Sequence, residues 1–208
     1  MSNEEILGGA GANGTVSVRG KDGQPLVELL GRDNEAVIGL GQSGRPGRIS
    51  LYGADRQEAV RIDTQGGGDI WIANGDLAEE FDLGDAGTYA GMVVVLAKDG
   101  SVVACDAEYD ARVVGVVAGA GDFRPGLVLD RRTTGRRRAP VALLGKVYCW
   151  VDATVHPVRA GDLLTSSARP GHARAVAERS RALGAVVGKA LAPLTTGCGL
   201  LPVLVTLH

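Results

Sequence analysis

The chain has 208 residues, of which 45% are apolar, 22% charged and 4% aromatic, with a formal net charge of −2. The apolar share excludes a disordered chain, the charge balance supplies no overall basic field for nucleic acid, and no apolar run approaches the roughly 20 residues of a membrane span. With 32 glycines and only eight aromatic side chains, the composition is that of short Val-, Leu- and Ile-built strands joined by tight turns. Residues 1–13 read as a flexible, acidic N-terminus. They lack the basic start and apolar stretch of a secretory signal, which points to synthesis in the cytoplasm.

Residues 14–74 carry a repeat. Apolar pairs two residues apart occur at Val16/Val18, Val27/Leu29, Ile38/Leu40, Ile49/Leu51 and Val60/Ile62, each eleven residues after the last, and Ile70/Ile72 follows after ten. A spacing of two puts both members on one face of a strand, and the turn formers between units (Lys21-Asp22-Gly23, Gly53-Ala54-Asp55, Gly66-Gly67-Gly68) exclude a helix. Each unit offers two inward side chains, worth about 1.5–3 kcal/mol apiece when fully buried. Ordering the backbone costs roughly 1–2 kcal/mol per residue, so a lone sheet of this kind is short of apolar surface. The expected solution is an intertwined trimeric β-helix whose core is these twelve residues, each chain giving one wall. A monomeric β-roll or meander is the alternative.

Residues 75–90 form an acidic junction that includes Asp76-Leu77-Ala78-Glu79-Glu80-Phe81-Asp82, and residues 91–208 a C-terminal β domain. Strands are expected at Met92–Leu96, Val102–Cys105, Val113–Val117, Leu127–Leu129, Val141–Leu144 and Val147–Val151. More follow at Leu163–Thr165, His172–Val176, Ala185–Leu191 and Leu200–Leu207, a spacing that fits a β-barrel or β-sandwich. Ala173–Leu183 admits a helix by composition and a strand by alternation. The fold class is all-β throughout.

The order Leu77–Asp82, Gly91–Val95, Val113–Val117, Val141–Val147 and Val158–Leu164 resembles the C-terminal intramolecular-chaperone domains of phage tail-fibre and neck-appendage proteins. The resemblance implies a trimeric, non-enzymatic particle component whose C-terminal domain drives assembly, with its own copies and other particle or appendage proteins as partners. Some of those domains cleave themselves at a serine before the junction. Here Asp69–Asp76 carries no hydroxyl nucleophile, so self-cleavage is only an alternative.

Candidate sites are few. Arg131, Arg132, Arg136, Arg137 and Arg138 fall within eight residues and suit an exposed loop that binds an anion or a surface glycan, the basis of an alternative role as an adhesive module. The carboxylates Glu79, Glu80, Asp82 and Asp85 match no calcium-loop spacing. Asp162, Ser166, Ser167 and His172 lack the strained turn of a serine hydrolase and read as a hairpin tip. His156, His172 and His208 show no metal spacing; Trp71 and Trp150 are able to stack on sugars, a face near Trp150 being a second site for the adhesive alternative, but a Trp within Val147-Tyr148-Cys149-Trp150-Val151 more often anchors a sheet face. Cys105, Cys149 and Cys198 stand too far apart for a zinc or disulfide framework and are expected to be buried, small apolar residues. No cofactor is expected.

Overall fold

The structure is a computed structural model that describes residues 15–32, 35–41, 44 and 46–206; the expected flexible segment 1–13 and His208 lie outside them. The chain divides into two compact units, residues 1–73 and 74–208. Among the described residues there are sixteen strands and two short 3-10 turns, and no helix long and apolar enough to cross a membrane. The fold is all-β.

The first unit holds two antiparallel three-stranded sheets. One is β1 (Thr15–Arg19), β2 (Pro25–Arg32) and β3 (Glu35–Leu40), and the other is β4 (Arg48–Tyr52), β5 (Glu58–Asp63) and β6 (Asp69–Ile72). Each repeat supplies one strand. The eleven-residue period keeps the centres of successive apolar pairs opposite each other: Ser17 faces Glu28 and Glu28 faces Gly39, while Ser50 faces Arg61. Within one chain the strands therefore pair as meanders and do not stack as β-helix rungs. A parallel rung needs a crossover of about a dozen residues, and after a strand of five or six this period leaves room only for a tight turn.

One turn design recurs. In Gly20–Gln24 and Gly53–Gln57 the last residue's carbonyl accepts the first residue's N–H at 2.9 Å, and Asp22 or Asp55 accepts the N–H of the glutamine. The position after the aspartate has positive φ in both, filled by Gly23 in one and by Arg56 (φ 63°) in the other. The second unit repeats the design at Ala97–Ser101, with Asp99 accepting the Ser101 N–H and Gly100 at φ 81°. This is the three-residue hairpin with an αL position, and the register shifts at Val18/Arg19 and Leu51/Tyr52 accompany it.

The second unit is one ten-stranded sheet: β7 (Asp76–Asp82), β8 (Val93–Leu96), β9 (Val102–Ala104), β10 (Val113–Val117), β11 (Pro125–Leu129), β12 (Arg138–Asp152), β13 (Leu163–Ser166), β14 (Ala173–Ala175), β15 (Val186–Ala190) and β16 (Cys198–Thr206). The ring β12–β16–β15–β13–β14 closes when Val151 of β12 pairs with Ala173 of β14, making a barrel. Val93 and Val95 face the main core with Val116, Val147, Val151, Leu164 and Val203. Val94 faces a second core with Leu83, Val102, Val117 and Val141. Burial on both faces explains why β8 reads as an unbroken valine run and not as an alternation.

Several sequence expectations take a different form here. The acidic junction contains a strand: β7 pairs antiparallel with β12 and parallel with β11, so its carboxylates are held by a sheet. The two strands expected around Gly145 are one fifteen-residue strand. Gly145 has φ 107°, and a Cβ there would stand 2.4 Å from the Gly75 carbonyl oxygen, so a glycine at this irregularity lets β12 continue. Ala173–Leu183 splits into β14 and a 3-10 turn at Arg179–Arg181. Cys105 and Cys149 are buried, and desolvation pushes the Cys105 thiol up to about 11 and the Cys149 thiol upward as well. Cys198 is exposed, because it begins β16 opposite Asp152 at the end of the β12 pairing.

Candidate assembly surface

In the β4–β5–β6 sheet the apolar pairs align into two cross-strand rows. Ile49, Ile62 and Ile70 form one, and Leu51, Val60 and Ile72 the other. Directly opposed residues share a face, so all six side chains stand on one side of a single-layer sheet. That side is uncovered: Ile49 is 44% exposed, Leu51 57%, Ile62 43% and Ile70 68%. The first sheet has the same register, with Val16, Leu29 and Ile38 in one row and Val18, Val27 and Leu40 in the other. Val18 and Ile38 are also largely exposed.

The opposite side of β4–β5–β6 is polar and its charges are paired within the sheet. Asp63 is buried between Arg48 (3.5 Å) and Arg61 (3.3 Å) and accepts the Gln65 N–H. Glu58 accepts from Ser50 and pairs with Arg61, whose guanidinium lies 5.7 Å from the Trp71 ring centroid. Trp71 therefore packs under an arginine on the charged face. The alternation that makes a strand has sorted this sheet into one wet face and one aliphatic face.

The sequence-predicted sites of the second unit are mostly occupied by partners within the chain. The segment from Arg131 to Arg137 joins β11 to β12 as a loop, and Arg138 opens β12. Arg138 is 8% exposed and clamps Asp82 (2.8 Å), Asp130 (2.7 Å) and Glu80 (3.5 Å). Arg137 donates to the carbonyls of Ala86 and Thr88. Arg136 pairs with Asp99 at 3.0 Å, Arg132 with Asp130 at 3.1 Å and Arg131 with Glu80 at 3.8 Å. The basic loop and the acidic strand β7 are thus complementary halves of one network, and like-charge repulsion within the loop is offset locally. The network depresses the acids: Asp82 lies below its ordinary range through the Thr134 hydroxyl and then Arg138. Asp99 is held at about 2, first by the Ser101 hydroxyl and backbone N–H and then by Arg136.

Asp85 accepts both the N–H and the hydroxyl of Thr88. Among the described residues no cluster of three or more His, Cys, Asp or Glu is arranged to hold a metal ion. Ser166 and Ser167 are buried and accept the N–H groups of Asp110 and Arg169, while His172 Nδ1 contacts the Pro170 carbonyl and Asp162 accepts the Arg159 N–H. These four residues hold turns and do not face one another as nucleophile and base. Trp150 packs beside His172 with ring centroids 6.0 Å apart.

One surface of the second unit was missed in the sequence. Leu127 of β11, Leu77 of β7 and Leu144 of β12 align across three strands, with Leu127 and Leu144 about half exposed. The available signal was Leu127/Leu129, spaced by two like the repeat pairs.

No protein-family profile and no curated protein matches the chain. Among solved structures it is similar to the pre-mature bacteriophage phi29 gene product 12, at 20% identity and a TM-score of 0.44, over 72% of this chain and 24% of that one. The chain thus spans about a quarter of that protein's length.

Proposed function

We propose that the chain is a non-enzymatic structural subunit of a phage-type fibre or appendage, acting as a homotrimer whose repeat segment closes through three chains. The observation that carries this reading is the uncovered, aliphatic face of the β4–β5–β6 sheet. A second and third copy of the chain are the occupants that fit, on dimensions. A five-residue strand such as β4 is about 17 Å long, and a triangular tube with walls that wide has each wall about 5 Å from its axis. That is half the roughly 10 Å at which sheet faces pack. Two inward residues per strand fill such a tube, and six meet at each level. Closure also removes an open aliphatic face that would otherwise invite unregulated association.

The C-terminal unit is the registering element in this proposal. Pairing flat, repetitive strands between chains is prone to one-repeat slips, and a cohesive barrel that trimerises first would set the register. The order of segments resembling the chaperone domains of phage fibres supports the same division of labour. Other particle or appendage proteins are the further partners, and incorporation into such a particle is the destination.

Sedimentation equilibrium of the full chain tests the proposal. The expected mass is three times the 21.4 kDa of one chain. A dimer would overturn the triangular closure, and a monomer at micromolar concentration would overturn the whole reading.

A further inference from the structure

Among the arginines whose side chains are described, three have no carboxylate, carbonyl or aromatic partner: Arg56, Arg159 and Arg179. Arg56 sits on the exposed Gly53–Gln57 turn. Arg159 and Arg179, twenty positions apart by number on different segments, line the same cavity of about 360 Å³ in the C-terminal unit, together with His156. The volume is within the range of small-ligand sites, roughly 300–1,000 Å³. Its remaining lining is aliphatic, including Leu163 and Val176, with one carboxylate, Asp162. That carboxylate is engaged by the Arg159 backbone N–H at 2.8 Å.

The backbone that carries the two arginines is braced. Val158, next to Arg159, exchanges both hydrogen bonds with Leu194 (2.8 and 2.9 Å), and the Asp162 N–H returns to the Arg159 carbonyl. Below, the Val176 N–H bonds the Leu163 carbonyl at 2.9 Å, closing the floor where β13 and β14 meet. On the other wall the Glu178 N–H donates to the Tyr109 hydroxyl. The Glu178 carboxylate, the nearest acid in sequence to Arg179, is instead paired with Arg181. Two arginines on braced backbone, lining one cavity with aliphatic neighbours and without an intramolecular counter-ion, suit a planar or tetrahedral oxyanion.

We infer that this cavity binds a phosphate- or carboxylate-bearing ligand of about monosaccharide size, the oxyanion between Arg159 and Arg179 and the body of the ligand against Leu163 and Val176. The inference places anion recognition away from the arginine-rich loop, whose guanidinium groups already have partners. It is independent of the trimer proposal.

Isothermal titration of the full chain with glucose 6-phosphate, glucuronate and glucose tests it. Either anion should bind, the tighter of the two naming the preferred oxyanion, and glucose should not. Arg159→Ala and Arg179→Ala should each weaken binding by about tenfold or more, as expected for loss of a charge-assisted contact, while Arg136→Ala leaves it unchanged. The two altered side chains hold nothing in the fold, so unchanged melting temperatures are expected and confirm that loss of binding is local. Absence of binding by both anions up to about 10 mM, equal binding of glucose, or anion binding that survives both substitutions would overturn the assignment.

Discussion

The two units of this chain use the same strands and even the same hairpin turn, yet they solve burial in opposite ways. In the repeat unit the β4–β5–β6 sheet is a single layer with its aliphatic face open, so Leu51 and Ile70 remain mostly exposed. In the C-terminal unit β8 is buried on both sides, between two cores, and β12 runs long enough to join a barrel to an outer sheet. The difference lies in inward positions per strand and in what lies behind them. A pair of aliphatic residues every eleven positions makes a wall, whereas valine runs on overlapping strands make an interior.

That contrast is broken most severely by separating the units. If the repeat depends on neighbouring chains and on a registering domain, residues 1–74 alone should aggregate or stay monomeric, whereas normal trimers of that fragment in a sedimentation run would remove the registering role. Almost as large is Leu51→Asp. On a monomer with an exposed side chain the change is harmless, but at a closed aliphatic axis it buries three like charges, so the expected result is loss of the repeat segment's melting transition with the C-terminal transition retained.

Leu164→Ala probes the other unit. This side chain is fully buried in the main core, so the expected destabilisation is about 2–5 kcal/mol, read by chemical denaturation of the C-terminal transition. A shift under 1 kcal/mol would mean that the barrel interior collapses around the gap. A smaller gain is expected from Arg56→Gly. Arg56 holds φ 63° where the equivalent turn uses Gly23, and relief of that left-handed conformation should stabilise the repeat by about 1 kcal/mol.

The smallest effect is on pH dependence. Asp82, Asp99 and Asp110 all titrate below the ordinary carboxylate value, Asp82 chiefly through Thr134, Asp99 through Ser101 and Asp110 through Arg112. A depressed folded-state value adds stability that is complete above the unfolded value near 3.8 and is lost as pH falls towards about 2. Asp76 is shifted the other way by burial and opposes this loss on acidification. A melting series should therefore fall between pH 4 and pH 2, with a shallower fall in Arg136→Gln, which removes one of the Asp99 partners. Identical slopes for the two proteins would show that Asp99 is stabilised by its own turn alone.

Local periodicity made much of the fold legible. Spacing by two at Ile49/Leu51 or Leu127/Leu129 is a backbone property of strands, and the glycine- and aspartate-rich turns are chosen by φ alone, so strand positions and the all-β class follow from neighbours in sequence. The single strand through Gly145 was not legible, because a glycine reads as a break unless the approach of Gly75 is seen. The arginine loop was legible as a charge cluster but not as a clamp, since Glu80 and Asp82 lie nearly sixty residues from Arg138.

What the amino-acid order determined by itself is therefore the strand, the turn and the sorting of each repeat into an aliphatic and a polar side. Only tertiary structure decided which of those sides was covered. Pairing partners, the barrel closure at Val151 and Ala173, and the meeting of Arg159 with Arg179 at one cavity depend on long-range contacts. Side-chain periodicity reports on which way a residue points, while burial and charge pairing depend on what the folded chain brings to meet it.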